Sequence, residues 1–165
     1  MRGDVVAANE LSAQLWRQRE LLELLLFKYE EEQLLLAAGK TRWIPQATRE
    51  IEKVVERLTD ASLSMSVALA EVAREWRLPH NVLLRDVVDA APDGMWRDIF
   101  TEHLHALVAL ITEIRTTRSG NNELVRSALE HANATGEPAA GPTLYAADGR
   151  RDYTAPVARL IDESL

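Results

Sequence analysis

From about Val5 to Ala38, steps of three and four through Ala8, Leu11, Leu15, Gln18, Leu22, Leu25, Tyr29, Glu32 and Leu36 meet an apolar residue at seven of nine positions. That period belongs to one face of an α-helix, so the spacing predicts a single long amphipathic helix. Further apolar residues at Leu21, Leu24, Leu26, Leu34 and Leu35 widen the stripe beyond a two-stranded seam, and this helix should pack against two neighbours or a partner. Gly39 stands where a helix C-cap belongs.

The same spacing resumes from Ile44 through Thr48, Ile51, Val55, Leu58, Ser62, Met65, Leu69, Val72 and Trp76, with eight of the ten apolar. Pro45 suits a first helical turn, and Leu78-Pro79 should end the helix, because proline disfavours helical geometry in the residue before it. Two helices of this size, each roughly 45 to 50 Å long and joined by a short glycine link, should lie antiparallel.

The segment from His80 to Ala91 reads as a short helix with Asn81 as its cap and Val82, Leu83, Val87 and Val88 inside; Pro92-Asp93-Gly94 breaks it. A third long helix follows from Met95 through Trp96, Ile99, Phe100, Leu104, Leu107, Leu110, Ile111 and Ile114. It then meets the polar run Thr116 to Asn122, and apolar spacing returns at Leu124, Val125, Ala128 and Leu129. The polar run is either an exposed stretch of one helix or a hinge at Gly120. Beyond Asn133 the prolines and glycines of 136–142 form a linker, and Thr154 and Pro156 open a short helix carrying Val157, Leu160 and Ile161 on one face. About ten residues are too few for a helix to persist alone, so this one needs a surface to dock on, its own bundle or a neighbouring copy. The expected fold is all-α: an antiparallel bundle of three long helices with a short connecting helix, spanning 1–135, and a flexible tail, 136–165.

Composition agrees and narrows the function. With 27% charged and only 5% aromatic residues the chain suits helices better than sheets, and its 26 acids against 19 bases give a net charge of -7 that repels nucleic acid and anionic membrane alike. The densest apolar stretch, Leu21 to Phe27, contains Glu23 and is far shorter than a membrane span, so no stable membrane insertion is expected. Without cysteine, thiol catalysis and cysteine-ligated zinc are excluded. Met1 to Glu10 lacks the apolar core of a signal peptide, which predicts a cytoplasmic protein.

Little else suggests chemistry. Glu102-His103-Leu104-His105 holds one Glu-x-x-His step where a helical di-metal site needs two, so His103 is expected to be a partly buried packing residue and His105 a surface one. There is no phosphate loop and no nucleophile elbow. Glu30-Glu31-Glu32 reads as a solvated helix face, and Trp16, Trp43, Trp76 and Trp96 as core anchors with one or two at an interface. No enzyme activity, metal or cofactor is expected.

Four segments resemble one family. They are Tyr29 to Trp43, a Leu-rich helix, a Gly turn and a basic-aromatic step; Thr48-Arg49-Glu50-Ile51-Glu52 opening the second helix; Asn121-Asn122-Glu123-Leu124-Val125-Arg126-Ser127-Ala128-Leu129; and Thr143-Leu144-Tyr145-Ala146-Ala147-Asp148-Gly149-Arg150. In order and spacing they are similar to the FlgN-type flagellar export chaperones, although Leu144 here separates the threonine and tyrosine that such chains usually place together. The resemblance implies a cytosolic chaperone that holds hook-associated proteins 1 and 3, the hook-filament junction proteins, and delivers them to the flagellar type III export gate. The competing expectation is a self-associating coiled-coil adaptor or scaffold. Leu124, Val125, Ala128 and Leu129 lie past the polar run, beyond assured support from the first two helices, and are the expected client-binding residues, with Tyr145, Val157, Leu160 and Ile161 as a secondary contact.

Overall fold

The computed structural model describes residues 2–92, 94–135 and 153–161. Among the described residues there are five α-helices: α1 (Arg2–Ala37), α2 (Ile44–Glu75), α3 (Leu84–Ala90), α4 (Met95–Thr135) and α5 (Ala155–Ile161), with a short 3-10 turn at Thr41–Trp43. No strand occurs among the described residues. The all-α expectation holds, and so do the three long helices.

Cross-links between helices give the directions. Gln18 reaches Ser62 and Lys28 reaches Glu50, so α2 descends as α1 rises. Arg19 meets Glu102 and Glu32 meets Asn121, so α4 rises alongside α1. α1 is the central member: it packs along both α2 and α4, while those two make almost no contact with each other. This is why its stripe is wider than one neighbour needs. α3 and α5 fill the space left between α2 and α4, with α5 touching α2, α3 and α4.

One continuous core runs through the bundle, built from Leu11, Leu15, Leu22 and Leu25 of α1, Leu58, Met65 and Leu69 of α2, and Phe100, Leu107 and Ile111 of α4. Trp96 stacks on Phe100 at 5.5 Å between ring centroids and Trp76 tilts against it at 6.2 Å, closing one end. The two polar positions of the α1 stripe do not face water. Gln18 is buried and donates to Ser62 Oγ at 3.5 Å, whose hydroxyl donates to the Leu58 carbonyl; Glu32 is 1% exposed. A slip of α1 along its neighbours would leave these groups buried without partners, which costs more than an apolar mismatch.

The turns follow local rules, with two departures from the sequence reading. Gly39, at φ +63°, ends α1 in a Schellman motif: its N–H donates to Leu36 O at 3.1 Å and that of Lys40 to Leu35 O at 2.8 Å. α2 stops at Glu75, three residues before Leu78, because Arg77 itself takes the left-handed conformation (φ +58°) and lets Leu78 N–H donate to Ala73 O at 2.8 Å. α3 starts at Leu84 and is not capped by Asn81. Its entry is fixed by the Asp86 carboxylate, which accepts the Leu83 N–H at 2.8 Å. Arg97 holds the end of α3, donating to the carbonyl of its C-cap, Ala91, at 2.6 and 3.1 Å and to Asp89 O at 3.4 Å.

α4 is unbroken through Gly120, and the polar run is neither a hinge nor wholly exposed. A Cβ built on Gly120 would lie 3.2 Å from Gln33 Nε2, the far end of a flexible side chain. Gly120→Ala should therefore raise stability by about 0.5 to 1 kcal/mol, the helical gain of alanine over glycine, as Gln33 moves aside. Thermal unfolding of the two proteins checks this; a lowered midpoint would mean that Gln33 is fixed.

Candidate functional site

The last third of α4 is tied to α1 through a buried polar contact. Asn121 is fully buried, and its Nδ2 donates both to the Tyr29 carbonyl at 2.9 Å and to Glu32 Oε2 at 3.0 Å. The expectation that Glu30-Glu31-Glu32 is a solvated face fails at Glu32, because α4 lies over it. One turn later Val125 is buried as well. Beyond these two, support runs out. α1 has five residues left after Glu32 and α4 has fourteen left after Asn121, so α4 overhangs by roughly nine residues, ~13 Å. On this end Leu124 is 37% exposed, Ala128 is exposed and Leu129 half-buried.

A second apolar surface lies at the same end, where α1 turns into α2. Leu34, 70% exposed, and Leu35, Trp43 and Ala47 line a cleft of about 480 Å³ edged by Glu31, Gln46 and Glu50. Lys28 bridges the two carboxylates, 2.6 Å from Glu31 and 2.7 Å from Glu50. Those hydrogen bonds, Glu31 first, hold the Lys28 ammonium above its ordinary pKa, and the Lys28 bond holds Glu50 below the usual carboxylate range. The Arg42 guanidinium lies 5.0 Å from the Trp43 ring centroid. Sequence reading placed the four tryptophans as core anchors with one or two at an interface. Trp76 and Trp96 are, but Trp16 and Trp43 are half-exposed.

The tail residues sit elsewhere. Val157 and Ile161 are fully buried, Leu160 half-buried, in the groove walled by α2, α3 and α4; Tyr145 lies outside the described residues. α3 flanks the first half of α4, sharing a shallow cleft with Thr101, His105 and Ala109. Leu124 is fifteen residues further on, ~22 Å along the helix. The structure thus brings Leu124, Val125, Ala128 and Leu129 together, and Val157, Leu160 and Ile161 together, but not the two sets.

The Glu-x-x-His step gathers no metal-like cluster: among the described residues no three His, Asp or Glu side chains are grouped so that they could hold a metal ion. His103 is buried with its ring edge-on to Trp16 at 5.0 Å, while His105 is exposed. Arg19 lies over the same Trp16 ring at 4.5 Å and pairs with Glu102 at 3.3 Å. Burial pushes the His103 pKa below its ordinary value; Arg19 adds to the effect and Glu102 opposes it. With the folded pKa depressed, the stability from neutral His103 is complete above about pH 6.5 and is lost as pH falls below it, when the unfolded chain takes up the proton more readily. Wild type should therefore lose more stability than His103→Gln between about pH 7.5 and 5.5 in urea titrations. Parallel pH curves would remove His103 from that role.

Over residues 1–151 the chain matches the family model described as FlgN protein. The chain belongs to the FlgN family. No curated protein and no solved structure matches it. FlgN membership assigns it to the flagellar export chaperones, in agreement with the four segments of the sequence. The matched span takes in α1 through α4 and stops before α5. Among the described residues no helix is long and apolar enough to cross a membrane.

Proposed function

We propose that this FlgN-family chain holds the hook-filament junction proteins, hook-associated proteins 1 and 3, in the cytosol and passes them to the export gate of the flagellar type III apparatus. The observation that carries the reading is the α4 overhang, where Leu124, Ala128 and Leu129 stand apolar and incompletely covered beyond the end of α1. Junction subunits need cover for terminal helices that lack partners until assembly, and an apolar helix face at the end of an acidic bundle offers helix-on-helix packing. Val125, buried under the same turn, fixes the direction of that face. Tyr145 and the residues Val157, Leu160 and Ile161 form a secondary contact, which a client helix reaches once α5 leaves its groove.

Purification of the tagged chain from its native cell, with mass spectrometry of what co-elutes, tests the client assignment. Hook-associated proteins 1 and 3 are expected in stoichiometric amount. Other flagellar subunits in their place would keep the chaperone role and overturn the named clients.

A further inference from the structure

α1 packs two of its sides against α2 and α4, and its third side is bare. Along that side Ala13, Trp16, Glu20, Glu23, Phe27, Glu30 and Leu34 recur at alternating steps of three and four, the spacing of a seam that packs against another helix. All seven are exposed, Trp16 at 51%, Phe27 at 52% and Leu34 at 70%. α3 and α5 pack on α2 and α4 instead. The seam runs for ~32 Å of helix, and Leu34 stands about 200° round α1 from Glu32, which α4 covers, so it faces away from the α4 overhang.

The charge on this side has one sign. Among the described residues Glu20, Glu23 and Glu30 form no ion pair. Of the flanking bases, Arg19 is paired with Glu102, and Lys28 with Glu31 and Glu50, which leaves Arg17 against three acids. Trp16 is already fixed, edge-on to His103 and under Arg19, so little side-chain freedom is lost when a partner covers it. A second copy is the wrong partner: in parallel each glutamate meets itself, and antiparallel, with Trp16 opposite Phe27, Glu20 meets Glu23. Like charges set face to face oppose such a pairing, whereas a basic surface relieves them.

We propose that this outer side of α1 docks a basic amphipathic helix of a second protein. Its apolar residues cover Trp16, Phe27 and Leu34, and its Lys or Arg side chains meet Glu20, Glu23 and Glu30. The buried apolar anchors supply most of the affinity, and the charges select the partner and speed its encounter. Because the seam and the α4 overhang lie on different sides of α1, a client on the overhang leaves the seam open. The inference rests on α1 alone and stands whichever clients the chain carries.

The test uses two dye-labelled synthetic helices long enough to span the seam, one with leucine at the three-four positions and lysine beside them, the other with glutamate for every lysine. In fluorescence anisotropy with the full chain, the lysine helix is expected to bind at about 10 μM and the glutamate helix roughly tenfold more weakly or worse. Phe27→Gln with Leu34→Gln should weaken the lysine helix roughly tenfold, while Leu63→Gln with Val67→Gln, on the exposed face of α2, should leave it unchanged. Glu20→Lys, Glu23→Lys and Glu30→Lys together should reverse the preference in favour of the glutamate helix. These positions are exposed, so helical circular dichroism should stay the same. Saturating hook-associated protein 1 should not displace the lysine helix, and Phe27→Gln should not alter the mass of the chain in sedimentation equilibrium. No binding, equal affinity for the two helices, or equal losses in the α1 and α2 variants would each overturn the proposal. So would displacement by the client, or a change of mass, which would give the face to a second copy.

Discussion

A chain carrying both Leu124→Arg and Ala128→Arg should fold as wild type does and bind hook-associated protein 1, the client proposed for it, roughly thirtyfold more weakly. Both side chains already reach solvent, and arginine is a good helix former, so neither change disturbs α4. At a helix-on-helix contact the same changes remove apolar area and place two charges where they must shed water, a loss of about 2 kcal/mol or more. Titration calorimetry against the purified client measures this. Val125→Arg is not a substitute, because Val125 is buried and its replacement would unsettle the bundle itself. Unchanged affinity in the double variant would move the client site off α4.

The second large effect concerns what holds that surface in place. Asn121→Ala should destabilise the chain by about 3 kcal/mol, because two buried hydrogen bonds are lost, one of them to a carboxylate, and a small cavity is left. For a protein of this size that is a fall of about 9 °C in Tm. Ser119→Ala, two residues away and exposed, should change Tm by no more than about 1 °C. Comparable effects at the two positions would show that Asn121 is not the anchor.

Much of the fold could be read from periodicity. The stripes of α1 and α2 and the apolar steps of α4 gave three helices and the up-down-up order, and of the two outcomes that the surplus leucines of α1 left open, two neighbours or a partner, the bundle supplies two neighbours, although Leu34 stays exposed. What could not be read was which polar residues are buried. Gln18 and Glu32 sit on stripe positions, and that placement was the available signal, yet a solvated acid run is the commoner outcome for Glu30-Glu31-Glu32. Their partners, Ser62 and Asn121, are 44 and 89 residues away, so no local pattern links them. For the same reason the polar run in α4 looked like an interruption, although its last turn holds the buried Asn121.

Helix ends were less legible still. Arg77 in a left-handed cap and Asp86 bonding Leu83 N–H follow from backbone geometry that side-chain type only biases. At the candidate site, sequence singled out the apolar group Leu124 to Leu129, but one helical turn divides it into a buried member, Val125, and accessible ones. The cleft at Leu34 and Trp43 escaped notice because it forms only where the ends of two helices and the turn between them meet.

Amide hydrogen exchange of the full chain, with and without purified hook-associated protein 1, tests the central claim most directly. A complex should form and slow exchange over residues 121–135 of α4 above all, where the overhang leaves backbone and side chains least supported. No complex with hook-associated protein 1 or 3, or a complex that leaves exchange at 121–135 unchanged, would contradict the account.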